Sequence, residues 1–401
     1  MRTKDGHALI VGCGIAGPVV AMALQRAGFE PVIYEAQSGP MDDVGAFLNL
    51  APNGVNALKT LGLDGPVQAA GFSSSGIAFW NGAGRRIAVM DNGPEEQRYG
   101  ATTTVIKRGV LHRVLREEAL RRGIRVETGR KLESYDSSGG TGVVARFTDG
   151  SSAHGDFLLG CDGLSSRTRQ LLLPDAPGPV YTGQLGWGGF SRYPVPPSPG
   201  GMMQMTFGRR GFFGYCVAPS GEVYWFSNEP QAQEPARGSL RSVPSEVSKE
   251  RLLALHADDA SPIAGIIRAT EGGISCSPIH DIPFLPTWHQ GRVCLVGDAA
   301  HATSPHVGQG ASMAMEDALV LARCLRDLPA PEAAFARYQS LRKARVEKLT
   351  RAARRTGNTK GAPGPVGAWF RDRLLPLFIK RAAEANAWVY SYKVDWEASA
   401  A

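Results

Sequence analysis

Three stretches of the sequence bring together residue types that can do chemistry on a bound ligand. In "LVGDAAHATSPHVGQGASMAMEDA", residues 295–318, Gly297 and Asp298 end an apolar run. Pro305 stiffens the approach, and Gly308, Gln309, Gly310 and Ala311 precede a strong helix pattern over 313–325. Bare N–H groups at a helix start favour a group that carries or develops negative charge. Asp298 is suited to accept hydrogen bonds from a polyol. In "HALIVGCGIAGPVVAMALQRAGFEPVIYEAQ", Gly12-x-Gly14-x-x-Gly17, with Ile15 and Ala16 inside it, follows one apolar run, and Glu35 ends the next. Gly12 permits a tight turn, Gly14 a close approach of backbone to a pyrophosphate, and Gly17 the packing of helix on strand. The helix start offers N–H groups to the phosphates, and Glu35 suits both hydroxyls of an unphosphorylated adenosine ribose. These residues predict a dinucleotide site that fits FAD or NAD better than NADP. In "GDFLLGCDGLSSRTR", Asp162, Gly163, Ser166 and Arg169 read equally as part of a ligand groove or as a strand-ending turn with a helix cap.

The elements that position these residues alternate between two styles. Residues 8–11, a helix over 19–27 with Gly28 at its end, and residues 31–35 make a βαβ unit, the opening of an α/β fold with a parallel sheet. "VIKRGVLHRVLREEALRRGIRVETG" reads as strand, helix and strand returning to that sheet. "GDFLLGCDG" and "GRVCLVGDAA" read as further buried strands. Residues 75–89 and 180–282 differ, with short alternating strands between Gly, Pro and Ser clusters, as in an antiparallel sheet. The expected division is a discontinuous cofactor domain (1–74, 100–179, 283–360), an inserted substrate domain (75–99, 180–282) and a C-terminal helical tail (361–401). "GAPGPVG" marks the start of that tail, and its aromatics Trp369, Phe370, Phe378 and Trp388 read as packing residues.

Composition narrows the class. The 401 residues are 43% hydrophobic and 20% charged, ordinary for a globular protein, and no apolar run is long enough to span a membrane. The N-terminus enters a strand without signal-peptide anatomy, so a cytoplasmic protein is expected. Cys13, Cys161, Cys216, Cys276, Cys294 and Cys324 are scattered without metal or disulfide spacing, which predicts reduced thiols and no metal site. The net charge of +7 concentrates in "RKARVEKLTRAARRTGNTK", residues 342–360, read as a helix with a solvated charged face. No motif supports nucleic-acid binding.

Taken together, the glycine fingerprint with Glu35, Asp162-Gly163 and Gly297-Asp298, in this order, resemble the FAD-dependent aromatic hydroxylases typified by para-hydroxybenzoate hydroxylase. The resemblance spans about residues 8–345. Within that family the chain is most similar to single-component urate, salicylate and 3-hydroxybenzoate hydroxylases and to epoxidases of similar length. "GAFLNLAPNGVNALKTLGL", which begins at Gly45, matches the segment that passes beside the flavin ring. The resemblance implies that Glu35 binds the adenosine ribose, Arg108 lies near the pyrophosphate and the Val126 amide meets adenine. By the same likeness Asp162 shapes the groove and the path of NAD(P)H, Asp298 holds the ribityl–pyrophosphate end, and Gly308, Gln309, Gly310 and Ala311 cradle the flavin pyrimidine edge. Three positions depart from the pattern. Ala36 stands where many relatives carry arginine, Ser312 replaces a common asparagine, and Phe212 stands about where urate hydroxylases place a substrate-gripping arginine.

The implied activity is an NAD(P)H-consuming monooxygenase that oxidises an electron-rich phenol, indole or alkene with O2, through a flavin C4a-hydroperoxide. FAD is expected to be bound non-covalently. One fingerprint serves FAD alone, so NADPH or NADH is expected to bind transiently. The alternatives are a related desaturase, Baeyer–Villiger or antibiotic-inactivating enzyme, or a non-redox FAD-containing cyclase or binding protein. Phe212, Tyr215, Tyr224 and Phe226 are candidate substrate contacts from "FFGYCVAPSGEVYWFSN". No catalytic acid or base is legible. His280, His301 and His306 are candidates that packing explains as well. A monomer and a homodimer both remain open.

Overall fold

The computed structural model describes residues 6–39, 46–91, 94–240, 243–359, 364–385 and 387–400. Gly45 falls outside them, as does the side chain of Phe378. The first strand, His7–Val11, lies at the centre of a six-stranded sheet. Glu30–Glu35 and then Arg125–Thr128 pair in parallel on one side of it. Phe157–Gly160 and Val293–Leu295 pair in parallel on the other, and His289–Gln290 closes that edge antiparallel. These strands read as apolar runs because helices cover both faces. Ala8, Ile10, Ile33, Leu158 and Cys294 are fully buried.

A seven-stranded sheet is built from the inserted segments. Its order is Ser275–Asp281, Val180–Ser191, Val223–Pro230, Phe212–Val217, Met203–Phe207, Gly76–Asn81 and Arg86–Asp91. All pairs are antiparallel except one. Met203–Phe207 runs parallel to Gly76–Asn81, where the two inserted segments meet. No hairpin links those strands, so nothing forces the antiparallel sense expected from the sequence.

Two further sheets depart from the sequence reading. Thr104–Lys107 does not enter the parallel sheet. It pairs antiparallel with Phe47–Leu50 and Phe72–Ser73 in a three-stranded sheet of its own. Its Val105 and Ile106 are both fully buried, so its composition suited either destination. Leu132–Asp136, Val143–Phe147 and Ser152–Gly155 form an antiparallel meander that the sequence reading did not resolve.

The last quarter of the chain is mostly helical, as expected: Gly310–Asp327, Pro331–Thr359 and Pro365–Ala385. The tail aromatics do not all pack. Trp369 and Phe370 are half exposed, whereas Trp388 is half-buried beneath the Arg345 and Lys348 cations. Among the described residues, no helix is long and apolar enough to cross a membrane.

Candidate active site

Two of the three glycines in the loop have a structural reason. Gly12 sits at φ +103°, and a Cβ there would lie 2.5 Å from the Cys161 carbonyl. At Gly17 a Cβ would collide with the Gly12 carbonyl, so the helix Ala16–Arg26 packs on the strand only without one. Gly14 is different. Its backbone is ordinary and no protein atom lies within 4 Å of a Cβ. Neither backbone strain nor a close protein contact calls for a glycine there. No side chain caps the helix after it, and no acid occupies its first turn. Its N–H groups are therefore open to an anion.

Glu35 reaches this loop from the end of its strand. Its carboxylate accepts hydrogen bonds from the Cys13 N–H (2.7 Å) and the Gln37 N–H (2.9 Å). Ala36 follows it on the exposed surface. Val126 is half-buried on the neighbouring strand, opposite Ile33. Arg108 opens the helix Arg108–Arg121 with an exposed side chain, and its N–H bonds the Ala46 carbonyl.

Asp298 and the loop before Gly310–Asp327 converge on the same place. Gly297, at φ +61°, sits where a Cβ would lie 3.1 Å from Ala314 and 3.5 Å from Ala16. The starts of two helices and the end of one strand thus meet at one residue. Pro305 begins a short 3-10 turn, which ends at Gly308 in the left-handed conformation. Gln309 is the N-cap of Gly310–Asp327, without a side-chain cap. A Cβ at Gly310 would find only the Asp298 Oδ1, 3.9 Å away. Ala311 is half-buried beside it. Thr303 Oγ1 and Ser304 Oγ are buried near this loop without a hydrogen-bond partner. Ser312 lies against Gly54 of the helix Pro52–Thr60.

Asp162 does the work of a cap. Its carboxylate accepts from the Ser166 hydroxyl (2.6 Å) and from the Thr168 N–H (2.9 Å). Ser166 in turn accepts from the Arg169 N–H (2.9 Å). Of the two sequence readings, turn and cap is what these bonds describe. Arg169 is buried and donates to the Ala299 and Leu164 carbonyls. It ties the Asp162 turn to the Asp298 turn.

Sequence reading missed what fixes the Gly308–Ala311 loop from behind. Asn53 Nδ2 donates to the Gln309 side chain (2.9 Å) and to Glu316 Oε1 (2.6 Å). Glu316 pairs with Arg342 (2.6 Å) and Arg345 (2.8 Å). Asp317 pairs with Arg342 (2.7 Å) and His301 (2.6 Å). Arg342 is fully buried, so the helix face read as solvated is in part an internal one. It points inward because the facing helix carries two adjacent carboxylates. Burial pushes the Asp317 carboxyl up, but His301 and Arg342 outweigh it and hold the group down to about 2. His301 therefore belongs to this cluster. His280 bonds Glu234 and the Pro278 carbonyl, and His306 lies against Gly357 of the long helix.

The seven-stranded sheet presents a wall to this region. Phe190, Phe212, Tyr224, Phe226, Met203 and Met205 share its inner face, together with Phe47 and Phe72 of the small sheet. Tyr215 does not belong to the wall. It lies on the opposite face with Phe213 and Trp225, under the helices Ser245–Leu255 and Ile263–Arg268. Strand parity separates it from Phe212, which the sequence reading placed with it. Gly188 and Gly214 make room on the wall: a Cβ at Gly214 would lie 2.3 Å from the Phe226 ring, and one at Gly188 would lie 2.6 Å from Ala46. Lys107 stands over the Phe190 ring (4.2 Å) but is paired with Glu222 (2.7 Å). Burial, then Glu222 and Cys216, push the Tyr224 hydroxyl up to about 12, so it stays protonated.

Residues 5–353 match the FAD binding domain family. The chain belongs to that family. It is 34% identical over 94% of its length to the aurachin C monooxygenase/isomerase of Stigmatella aurantiaca, covering 96% of that protein. It is 30% identical over 87% of its length to the FAD-dependent urate hydroxylase of Klebsiella pneumoniae, covering 88% of it. The crystal structure of Klebsiella pneumoniae HpxO with FAD and uric acid superposes at a TM-score of 0.86 with 26% identity, over 97% of both chains. The protein is an FAD-dependent monooxygenase of small molecules. The cradle at Gly14 and Gly310, open to a ligand and unneeded by the fold, fits the FAD that the family binds.

Proposed function

We propose that this monooxygenase oxidises a neutral, apolar, electron-rich aromatic or alkene substrate. The observation that carries the reading is the inner wall. Its side chains are aromatic rings and thioethers, and Lys107, the cation beside them, is already neutralised by Glu222. A wall of this kind gives an anion such as urate no counter-charge, whereas it buries a flat apolar ring favourably. It also excludes water, which an oxygenation needs.

Several residues would hold the FAD. Glu35 would take the adenosine ribose, and Gly12, Gly14, Ile15, Ala16 and Gly17 the pyrophosphate with help from Arg108. Val126 would meet adenine. Asp298, Pro305, Gly308, Gln309, Gly310 and Ala311 would hold the ribityl and pyrimidine part. Bound there, FAD supplies the redox chemistry with O2, after reduction by NADPH or NADH, which would bind transiently. The chain's own part is to present helix N–H groups to the charge of the reduced flavin and to orient the substrate ring on Tyr224 and Phe226. Tyr224, held protonated, can donate a hydrogen bond to a substrate oxygen but does not act as a base near neutral pH.

The test is NAD(P)H oxidation by FAD-loaded protein against a panel of phenols, indoles, quinolones and alkenes, with urate and benzoates as the anionic arm. Neutral apolar compounds should stimulate oxidation and gain an oxygen atom from 18O2. Stimulation confined to the anionic arm would overturn the substrate reading. Product without an 18O atom would favour the desaturase alternative.

A further inference from the structure

Over its described side chains, the tail helix Pro365–Ala385 turns an apolar stripe outward. Against the seven-stranded sheet it sets polar groups. Asp372 bonds the Asn81 amide (2.7 Å) and pairs with Arg85 (3.4 Å), and Arg371 stacks on the Phe207 ring (4.6 Å). To solvent it presents Val366 (71% exposed), Trp369 (51%), Phe370 (52%), Leu374 (44%) and Leu377 (68%). Those positions fall at helical spacing, so they make one stripe. An amphipathic helix normally faces the other way, and a contiguous apolar patch of this size marks a surface that is covered in use. Beside the stripe, Arg85, Trp369, Asp372 and Arg373 line an open cleft, and the Arg373 guanidinium stands over the Trp369 ring (4.3 Å). Arg86 is exposed on the adjoining strand.

We propose that this helix docks the enzyme on an anionic lipid surface. An apolar stripe carrying tryptophan and phenylalanine, with Arg373 among them and Arg85 and Arg86 on the adjoining strand, is the make-up of a helix that lies in the headgroup boundary. Charge decides against a second copy of this chain. The chain carries a net +7, and its own arginines would meet across a symmetric contact. The docking is peripheral, since no described helix can cross the bilayer. Through Arg371 and Phe207 the docked helix would hold the end of the inner wall near the lipid, although docking itself does not depend on which substrate the wall takes.

The experiment is flotation of the FAD-loaded full chain with vesicles of phosphatidylcholine containing 30% phosphatidylglycerol, against pure phosphatidylcholine. The bound fraction should be at least tenfold higher on the anionic vesicles and should fall as salt is raised. Trp369→Asp and Leu377→Asp should each lower binding about tenfold, and Arg373→Glu several-fold, with thermal stability unchanged because all three side chains are exposed. Absence of flotation, equal flotation on neutral vesicles, or binding that survives Trp369→Asp would overturn the proposal. So would a wild-type dimer in sedimentation that Trp369→Asp converts to monomer, which would assign the stripe to a second copy.

Discussion

Gly310→Val separates a glycine kept for a ligand from one kept for the fold. The backbone at Gly310 lies outside the left-handed region, and beyond its own helix turn the atom an added Cβ would meet is Asp298 Oδ1 at 3.9 Å. The FAD-free protein should therefore tolerate valine, with a stability change within about 0.5 kcal/mol. With FAD, the side chain occupies the space into which the helix N–H groups point. Losing one hydrogen bond to a charged acceptor costs about 1.5–3 kcal/mol, or roughly a ten- to hundredfold rise in Kd. The charge of the reduced flavin loses the same support, so its potential should fall. Thermal unfolding of the FAD-free protein, flavin fluorescence titration and a dye-coupled potential measurement form the assay. Gly17→Ala is the contrast: its Cβ meets the Gly12 carbonyl, so it should destabilise the protein with or without FAD. If Gly310→Val leaves both Kd and potential unchanged, the loop does not face the flavin. If it destabilises the FAD-free protein as Gly17→Ala does, the glycine is structural and the cradle reasoning fails.

Other outcomes follow from the same geometry. Glu35→Ala should raise the FAD Kd about ten- to hundredfold, since it removes a charged acceptor from the loop that Cys13 anchors; an unchanged Kd on dilution would remove Glu35 from the ribose site. Acid precipitation should release the flavin into the supernatant, and colour retained in the pellet would show a covalent bond. Asn53→Ala should destabilise by about 1–3 kcal/mol and shift the flavin potential, because it frees Gln309 from Glu316; a stability loss with no change in potential would make the tie purely structural. Asp317 titrates lower in the folded chain, at about 2, than its ordinary 3.8, so the unfolded chain binds its proton first. Its contribution, about 2 kcal/mol, is present above pH 4 and is lost as pH falls through 2. Urea midpoints at pH 7, 4 and 2.5 should show a flatter acid limb for Asp317→Asn, and an identical limb would contradict the assignment.

How legible each feature was depends on whether its cause is local. The glycine loop was readable because the positive φ of Gly12 and the contact of Gly17 with the Gly12 carbonyl are set within the loop itself. Tyr224 and Phe226 share a face, as strand parity requires, but parity alone does not say which face is inner. Tyr215 was misplaced because the helices that cover its face come from residues 245–268. The cluster behind the Gly308–Ala311 loop was not readable at all. Asn53 and Glu316 are 263 residues apart, and an arginine on a charged helix is exposed by default. The tail helix failed for the converse reason: an apolar stripe at helical spacing is read as buried, and here it is not.

The single parallel pair, Met203–Phe207 beside Gly76–Asn81, has a kinetic meaning. Its two strands leave and re-enter the parallel sheet at different points of the chain, so the seam forms only by closing a loop of more than a hundred residues. Such long-range pairing is slow. Each flank of the seven-stranded sheet can gather locally, through its own hairpins, long before they join. The aromatic wall spans that seam, with Ile77 on one side and Met203 and Tyr224 on the other. A nascent chain therefore cannot close the aromatic wall before residue 207 is made, and until then Ile77 lacks the Met203 that pairs with it.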